Sequence, residues 1–225
     1  MRRPITLPSK RTAVLVVDLQ EEHRLDERYL VEGFDQALAN AVAILNAARA
    51  TRTPIWHFAY VVDASQSKPF HPMGENGGSA FSDKDDPRTA ICPEAAPADG
   101  ERLTIKNVAS CLADPEIVSD LKRSGVEWLV VMGVWSEACI DATVKDAMAN
   151  GFRVLLVKDA CASGTKAMHE TAVINLANRL YGGAITNAEG AQRLLWGESV
   201  AVWIVDGAVP FRFDYSSARK IYEEL

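Results

Sequence analysis

The sequence predicts a three-layer α/β/α domain on a six-stranded, mainly parallel sheet, extended by a C-terminal β-hairpin. Three observations carry this reading. Short runs rich in Val, Ile and Leu alternate with amphipathic stretches along the chain. The first run, Ala13-Val14-Leu15-Val16-Val17, is apolar at every position, as a strand is when helices cover both faces of a parallel sheet. The 225 residues, 48% of them hydrophobic, are enough for one large domain with a substantial core. The chain is therefore read as a single domain, with a core over about 11–195 and an extension over about 196–225.

The elements follow in order. Asp18 ends the first strand. Phe34, Leu38, Ala41, Leu45 and Ala48 recur at three- and four-residue spacing, which predicts a helix. Pro54–Tyr60 is the second strand and Leu103–Lys106 a shorter third. Asp114-Pro115-Glu116 supplies an N-cap, a proline at the first helical position and an early acid, so a helix runs through Ile117–Arg123 to Gly125. Trp128–Met132 is the fourth strand, followed by a helix from Asp141 to Asn150-Gly151. Arg153–Asp159 is the fifth, and a helix from about Ala167 to Tyr181 stops at Gly182-Gly183. Ala184-Ile185-Thr186 is the sixth, and Asn187 caps a last helix through Leu195.

Two segments break this rhythm. Val61–Arg102 is too long for an ordinary connection and holds Pro69, Pro72, Gly74, Gly77, Gly78, Pro87, Pro93 and Pro97, which fits a lid or pocket wall. In the tail, Asp206-Gly207 lies between Val200–Val205 and Ala208–Tyr215, a hairpin signal, with Pro210 confining its strand to an edge. That hairpin either extends the sheet or clasps a neighbouring subunit.

Composition excludes several classes. Lys and Arg total 24 against 30 Asp and Glu, a net charge of −6 with no basic block, so nucleic acid is not expected as a partner. No apolar run approaches the roughly 18 residues of a membrane span. After Met1-Arg2-Arg3-Pro4 there is no signal-peptide core, and Cys92, Cys111, Cys139 and Cys161 lack CxxC spacing. A cytoplasmic protein with free thiols is expected.

Ligands of open parallel sheets bind at the carboxyl ends of strands. Asp18, Lys106 and Cys139 all fall at such ends. Cys139 also precedes a helix, whose free amides and dipole favour a thiolate. Each has an ordinary alternative: a helix cap or surface pair for Asp18, a solvated Lys106, a small core residue at Cys139. A carboxylate closing an apolar strand is harder to dismiss, because an unpaired buried charge is costly.

These residues lie in motifs that resemble the isochorismatase-like cysteine hydrolases: Val17-Asp18-Leu19-Gln20, Lys106 followed by Ser110, Gly133-Val134 before Cys139, and Lys158-Asp159-Ala160-Cys161-Ala162-Ser163. The likeness runs from about Arg11 to Leu195. It implies a catalytic triad of Asp18, Lys106 and Cys139 and the strand order 3-2-1-4-5-6. It also implies a cis peptide between Val134 and Trp135, with an oxyanion hole from the main-chain N–H groups of Trp135 and Cys139. The activity implied is hydrolysis of a small carboxamide or ureido compound through a thioester, without an organic cofactor or metal, in a dimer or tetramer.

Departures from the family pattern shape the alternatives. The cysteine argues against hydrolysis of isochorismate itself. Nicotinamidases of the superfamily hold a metal with an Asp-x-His pair and a second His, whereas Asp63 here precedes Ala64-Ser65 and His71 stands alone. Trp135 replaces a usually small residue and narrows the pocket; His23 stands where Phe is common and either binds substrate or is simply exposed. Cys161 is the rival nucleophile, His57 reads as a satisfied core residue, and His169 carries no clear signal. No Gly-x-Ser-x-Gly elbow or Gly-x-Gly-x-x-Gly cradle occurs. A metal-assisted nicotinamidase and a non-catalytic binding or assembly protein remain as rivals.

Overall fold

A computed structural model describes residues 1–68 and 70–225; Pro69, named above in the long connection, lies outside them. Its sheet has eight strands: β1 (Arg2–Ile5), β2 (Thr12–Val17), β3 (Ile55–Tyr60), β4 (Arg102–Lys106), β5 (Trp128–Val134), β6 (Arg153–Ala162), β7 (Ala184–Thr186) and β8 (Val200–Trp203). Their order is β1-β8-β7-β6-β5-β2-β3-β4. The six strands expected from sequence are β2 to β7, all mutually parallel and in the expected order, while β8 and β1 add an antiparallel margin beyond β7.

Alternate residues of β2 explain the layers. Val14 and Val16 face α2 (Phe34–Thr51) and α6 (Ala188–Leu195) in one buried cluster. Ala13, Leu15 and Val17 face the other way, toward α3 (Pro115–Arg123), α4 (Asp141–Ala149) and α5 (Lys166–Ala177). Both faces of the strand are dry, which is why the run shows no alternation of polarity. Asp114, Thr165 and Asn187 cap α3, α5 and α6 through side-chain oxygens that accept main-chain N–H bonds. A four-residue helix, α1 (Glu22–Leu25), follows β2. Among the described residues, no helix is long and apolar enough to cross a membrane.

The C-terminal hairpin does not form. β8 pairs with β1 from the opposite end of the chain, and with β7 through Ile185 and Trp203. Gly207 does turn the chain, at φ +76°. Beyond it, however, the backbone of Phe211 finds its partners in a side chain: Asn178 donates to its carbonyl and accepts from its N–H, both at 2.8 Å. Phe211 also stacks on Trp203 at 5.3 Å, so this stretch is pinned to the end of α5 instead of returning as a strand. The tail ends in α7 (Ala218–Glu224), packed on α5. The edge is β1, where Pro4 is tolerated because its missing N–H faces no neighbour.

β6 runs three residues beyond its expected end, through Cys161. Lys158 and Asp159 look like a polar stop, but both are satisfied in place. Lys158 donates to the Tyr222 carbonyl at 2.8 Å, and Asp159 accepts from the N–H of Ala188 at the start of α6 at 2.7 Å.

Candidate active site

Parallel register sets the carboxyl ends of four strands side by side. Val17 is level with Phe58 and with Gly133, and Tyr60 with Lys106. Gly133 makes the β2–β5 approach possible: it has φ +126°, and a Cβ there would sit 1.9 Å from the Val17 carbonyl oxygen. The chain leaves β2 at Asp18, in the left-handed region at φ +52°, which Asp tolerates better than most residues.

Asp18, Lys106 and Cys139 meet at these ends. Lys106 Nζ donates to Asp18 Oδ2 at 2.7 Å, to the Val108 carbonyl at 3.3 Å and to Cys139 Sγ at 3.4 Å. Lys106 comes from the outer strand β4, and its long side chain reaches inward past Tyr60, whose ring centroid lies 4.7 Å from Nζ. The Lys106 and Asp18 side chains are only 5% and 4% exposed, so the ion pair is dry and strongly coupled. Asp18 Oδ1 is buried and has no hydrogen-bond partner among the described residues.

Electrostatics differ from the expectation of a resting thiolate. Cys139 lies in a π-type turn, Ser136–Ile140, that runs directly into α4. Burial, followed by the neighbouring Asp18 charge, pushes its thiol up to about 12 against the opposing pull of Lys106. The sulfur at rest is therefore neutral. Burial also raises Asp18, with Lys106 opposing it, which makes the carboxylate a stronger base than an exposed one. Lys106 keeps its proton despite burial because Asp18 lies beside it.

The triad opens into a cavity of about 370 Å³, walled by Tyr29, Tyr60, Phe81, Trp135 and His23. The Val134–Trp135 peptide is cis. Trp135 Nε1 donates to His23 Nδ1 at 3.3 Å, which places the His23 proton on Nε2, a buried atom without a partner among the described residues. His23 is thus a wall residue with 6% exposure, not a surface histidine. Phe81 and Ser82 come from the long connection, so that segment does form a pocket wall.

Other candidates go elsewhere. Cys161 is buried inside β6 with its thiol also pushed up to about 12 by burial, and it does not line the cavity. His57 lies in the core with Nε2 on Glu101 at 2.8 Å, while its buried Nδ1 has no partner among the described residues, so it is only half satisfied. Asp63 binds Ser65 and pairs with Lys84, while His71 Nδ1 contacts the Pro72 carbonyl. The one group of three potential ligands among the described residues, Glu21, Cys92 and Glu94, has both carboxylates paired with Arg24.

Sequence reasoning missed three supports of the site. Gln20 donates to the Tyr60 and Thr89 carbonyls and accepts from the Tyr60 N–H, tying the long connection to β3. Glu22 accepts from Ser82 N–H at 2.9 Å and Ser82 Oγ at 2.5 Å. Ser136 is hydrogen-bonded to His169 Nδ1, whose Nε2 meets the Tyr222 hydroxyl, so the tail braces the turn bearing Cys139. Only Gln20 stood in a recognisable motif; the other contacts join residues 33 to 60 positions apart.

His23 and His169 carry a stability consequence. Burial first, with Lys106 and Lys158 respectively also contributing, pushes each from 6.5 down to about 4. Protonation therefore favours the unfolded chain: this stabilisation is complete above about pH 6.5 and lost as pH falls toward 4. From pH 7 to pH 5 the loss is expected to be roughly 2 kcal/mol per histidine. Urea unfolding at both pH values measures it, and His169→Gln should remove its share of the difference; an unchanged difference would count against this assignment.

Against known proteins, the Isochorismatase domain model matches residues 12–190. The isochorismatase family protein YddQ of Bacillus subtilis is 29% identical over 154 residues, 68% of this chain and 79% of that protein. A maleamate amidohydrolase of Pseudomonas putida is 30% identical over 108 residues, 48% of this chain and 50% of that one. The structure of a cysteine hydrolase from Pseudomonas syringae pv. phaseolicola shares the fold, with TM-score 0.75 at 18% identity over 85% of this chain and 95% of that one.

Proposed function

This chain belongs to the isochorismatase family, and from that premise we propose that it is a cysteine amidohydrolase cleaving a C–N bond of a small carboxamide or ureido compound. The observation that carries the reading is the convergence on Lys106 Nζ of Asp18 at 2.7 Å and Cys139 at 3.4 Å, beside a cavity. The amidohydrolase named among its relatives supports the reaction class.

The neutral thiol sets the order of events. Asp18 takes the Cys139 proton as sulfur attacks the carbonyl carbon, so no free thiolate need accumulate. The new S–C bond leaves a tetrahedral oxyanion, received by the main-chain N–H groups of Trp135 and Cys139; that of Trp135 has no main-chain acceptor among the described residues. On collapse the C–N bond breaks, and Asp18 gives its proton to the departing nitrogen. Ammonia or an amine leaves and a thioester remains. Water then attacks the thioester carbon, passing a proton to Asp18. The C–S bond breaks, the acid leaves, and sulfur recovers the proton. Lys106 holds Asp18 in place and offsets its charge throughout. His23 and Trp135 form the wall against which substrate is held.

A panel of small amides and ureides is expected to yield ammonia or amine release, with the acyl group found on the Cys139 peptide after acid quench and mass spectrometry. Release with the acyl group on Cys161, or with none on sulfur, would overturn the mechanism.

A further inference from the structure

Among the described residues, the cavity wall carries two carboxyl groups, Asp18 and Glu22, and no cationic side chain. Lys106 lies behind it, committed to Asp18 at 2.7 Å. Glu22 is the informative member. Burial, to which the Asp18 charge adds, raises its pKa, while both of its oxygens accept hydrogen bonds from Ser82, which oppose that rise and favour the ionised carboxylate. Its carboxyl group is held in the wall by a residue of the long connection, and the other surfaces there are aromatic or uncharged: Tyr29, Tyr60, Phe81, Trp135 and neutral His23.

Resting on the amidohydrolase reading, we propose that this site selects amides with an uncharged, apolar body and rejects those bearing a carboxylate, Glu22 being the discriminating residue. A substrate carboxylate entering here would shed its water without gaining a cation, and would face the Asp18 and Glu22 carboxyl groups in a medium that screens poorly. An apolar body gains burial against four aromatic rings. The cavity, about 370 Å³, lies at the small end of the range for ligand sites, so one ring or a short chain beside the amide fills it.

The test uses three probes of related shape: benzamide, 4-carboxybenzamide, and the methyl ester of the latter. The ester is larger than the acid but uncharged, which separates charge from size. Binding to Cys139→Ala protein, measured by calorimetry, reads selectivity without needing turnover; ammonia release by the wild type reads the reaction. The two uncharged probes are expected to bind at least about 100-fold more tightly than the carboxylate. Equal or tighter binding of the carboxylate overturns the proposal. Selective binding without ammonia release from any probe leaves the selectivity standing and counts against the amidohydrolase reading.

Glu22→Gln is the second arm. A glutamine can keep its oxygen on the Ser82 N–H and donate to Ser82 Oγ, so the wall is retained while its charge is lost. The variant is expected to narrow the preference at least tenfold by tightening the carboxylate. An unchanged preference removes Glu22 as its source.

Discussion

Asp18→Asn is expected to lower amide turnover by about 10³-fold or more, while Cys139 becomes alkylated by iodoacetamide at lower pH than in the wild type. The two effects run in opposite directions because Asp18 has two roles. As a charge, it joins burial in holding the thiol up at about 12. Asparagine removes that charge and leaves Lys106, at 3.4 Å from the sulfur, with the thiolate as its nearest anion. As a base, Asp18 carries the proton from sulfur to the departing nitrogen, which asparagine cannot do. A more nucleophilic sulfur in a slower enzyme is the expected signature. Cys139→Ala should lose turnover as completely and retain the wild-type fold. Alkylation of Asp18→Asn protein at unchanged or higher pH would refute this electrostatic account, and wild-type turnover in either variant would refute the mechanism.

Gly133→Ala is expected to be the most damaging single-methyl change in the chain. The added carbon would lie 1.9 Å from the oxygen and 2.7 Å from the carbon of the Val17 carbonyl, main-chain atoms of the adjacent strand that cannot swing away. The φ of +126° is itself unfavourable for any residue with a Cβ. Overpacking and backbone strain together are expected to cost about 3 kcal/mol or more. The loss should reach the site as well, since relief of the clash parts β5 from β2 and Cys139 from Asp18. Urea unfolding measures the first effect and amide turnover the second. A change in stability below about 1 kcal/mol would show that the strands do not approach as closely as described.

How far the sequence could be read follows the range of the interactions involved. Asp114, Asn187 and the periodic face of α2 act within a few residues of themselves, so their elements were visible. The tail was misread because Asp206-Gly207 is a local signal whereas the partner of β8 lies some 200 residues away in β1. The end of β6 was misplaced because Lys158 and Asp159 are satisfied by α7 and α6, which no local pattern reveals.

By itself, the sequence determined the layered α/β plan, the order of six strands through family resemblance, and the three side chains of the candidate site, because apolar periodicity, caps and short motifs are properties of neighbouring residues. Only the tertiary structure decided that burial and Asp18 push the Cys139 thiol up, that His23 is a buried wall residue tied to Trp135, and that Glu22 lines the pocket held by Ser82. Burial and charge act through space at a few ångströms, and those distances exist only after the strands have been set side by side.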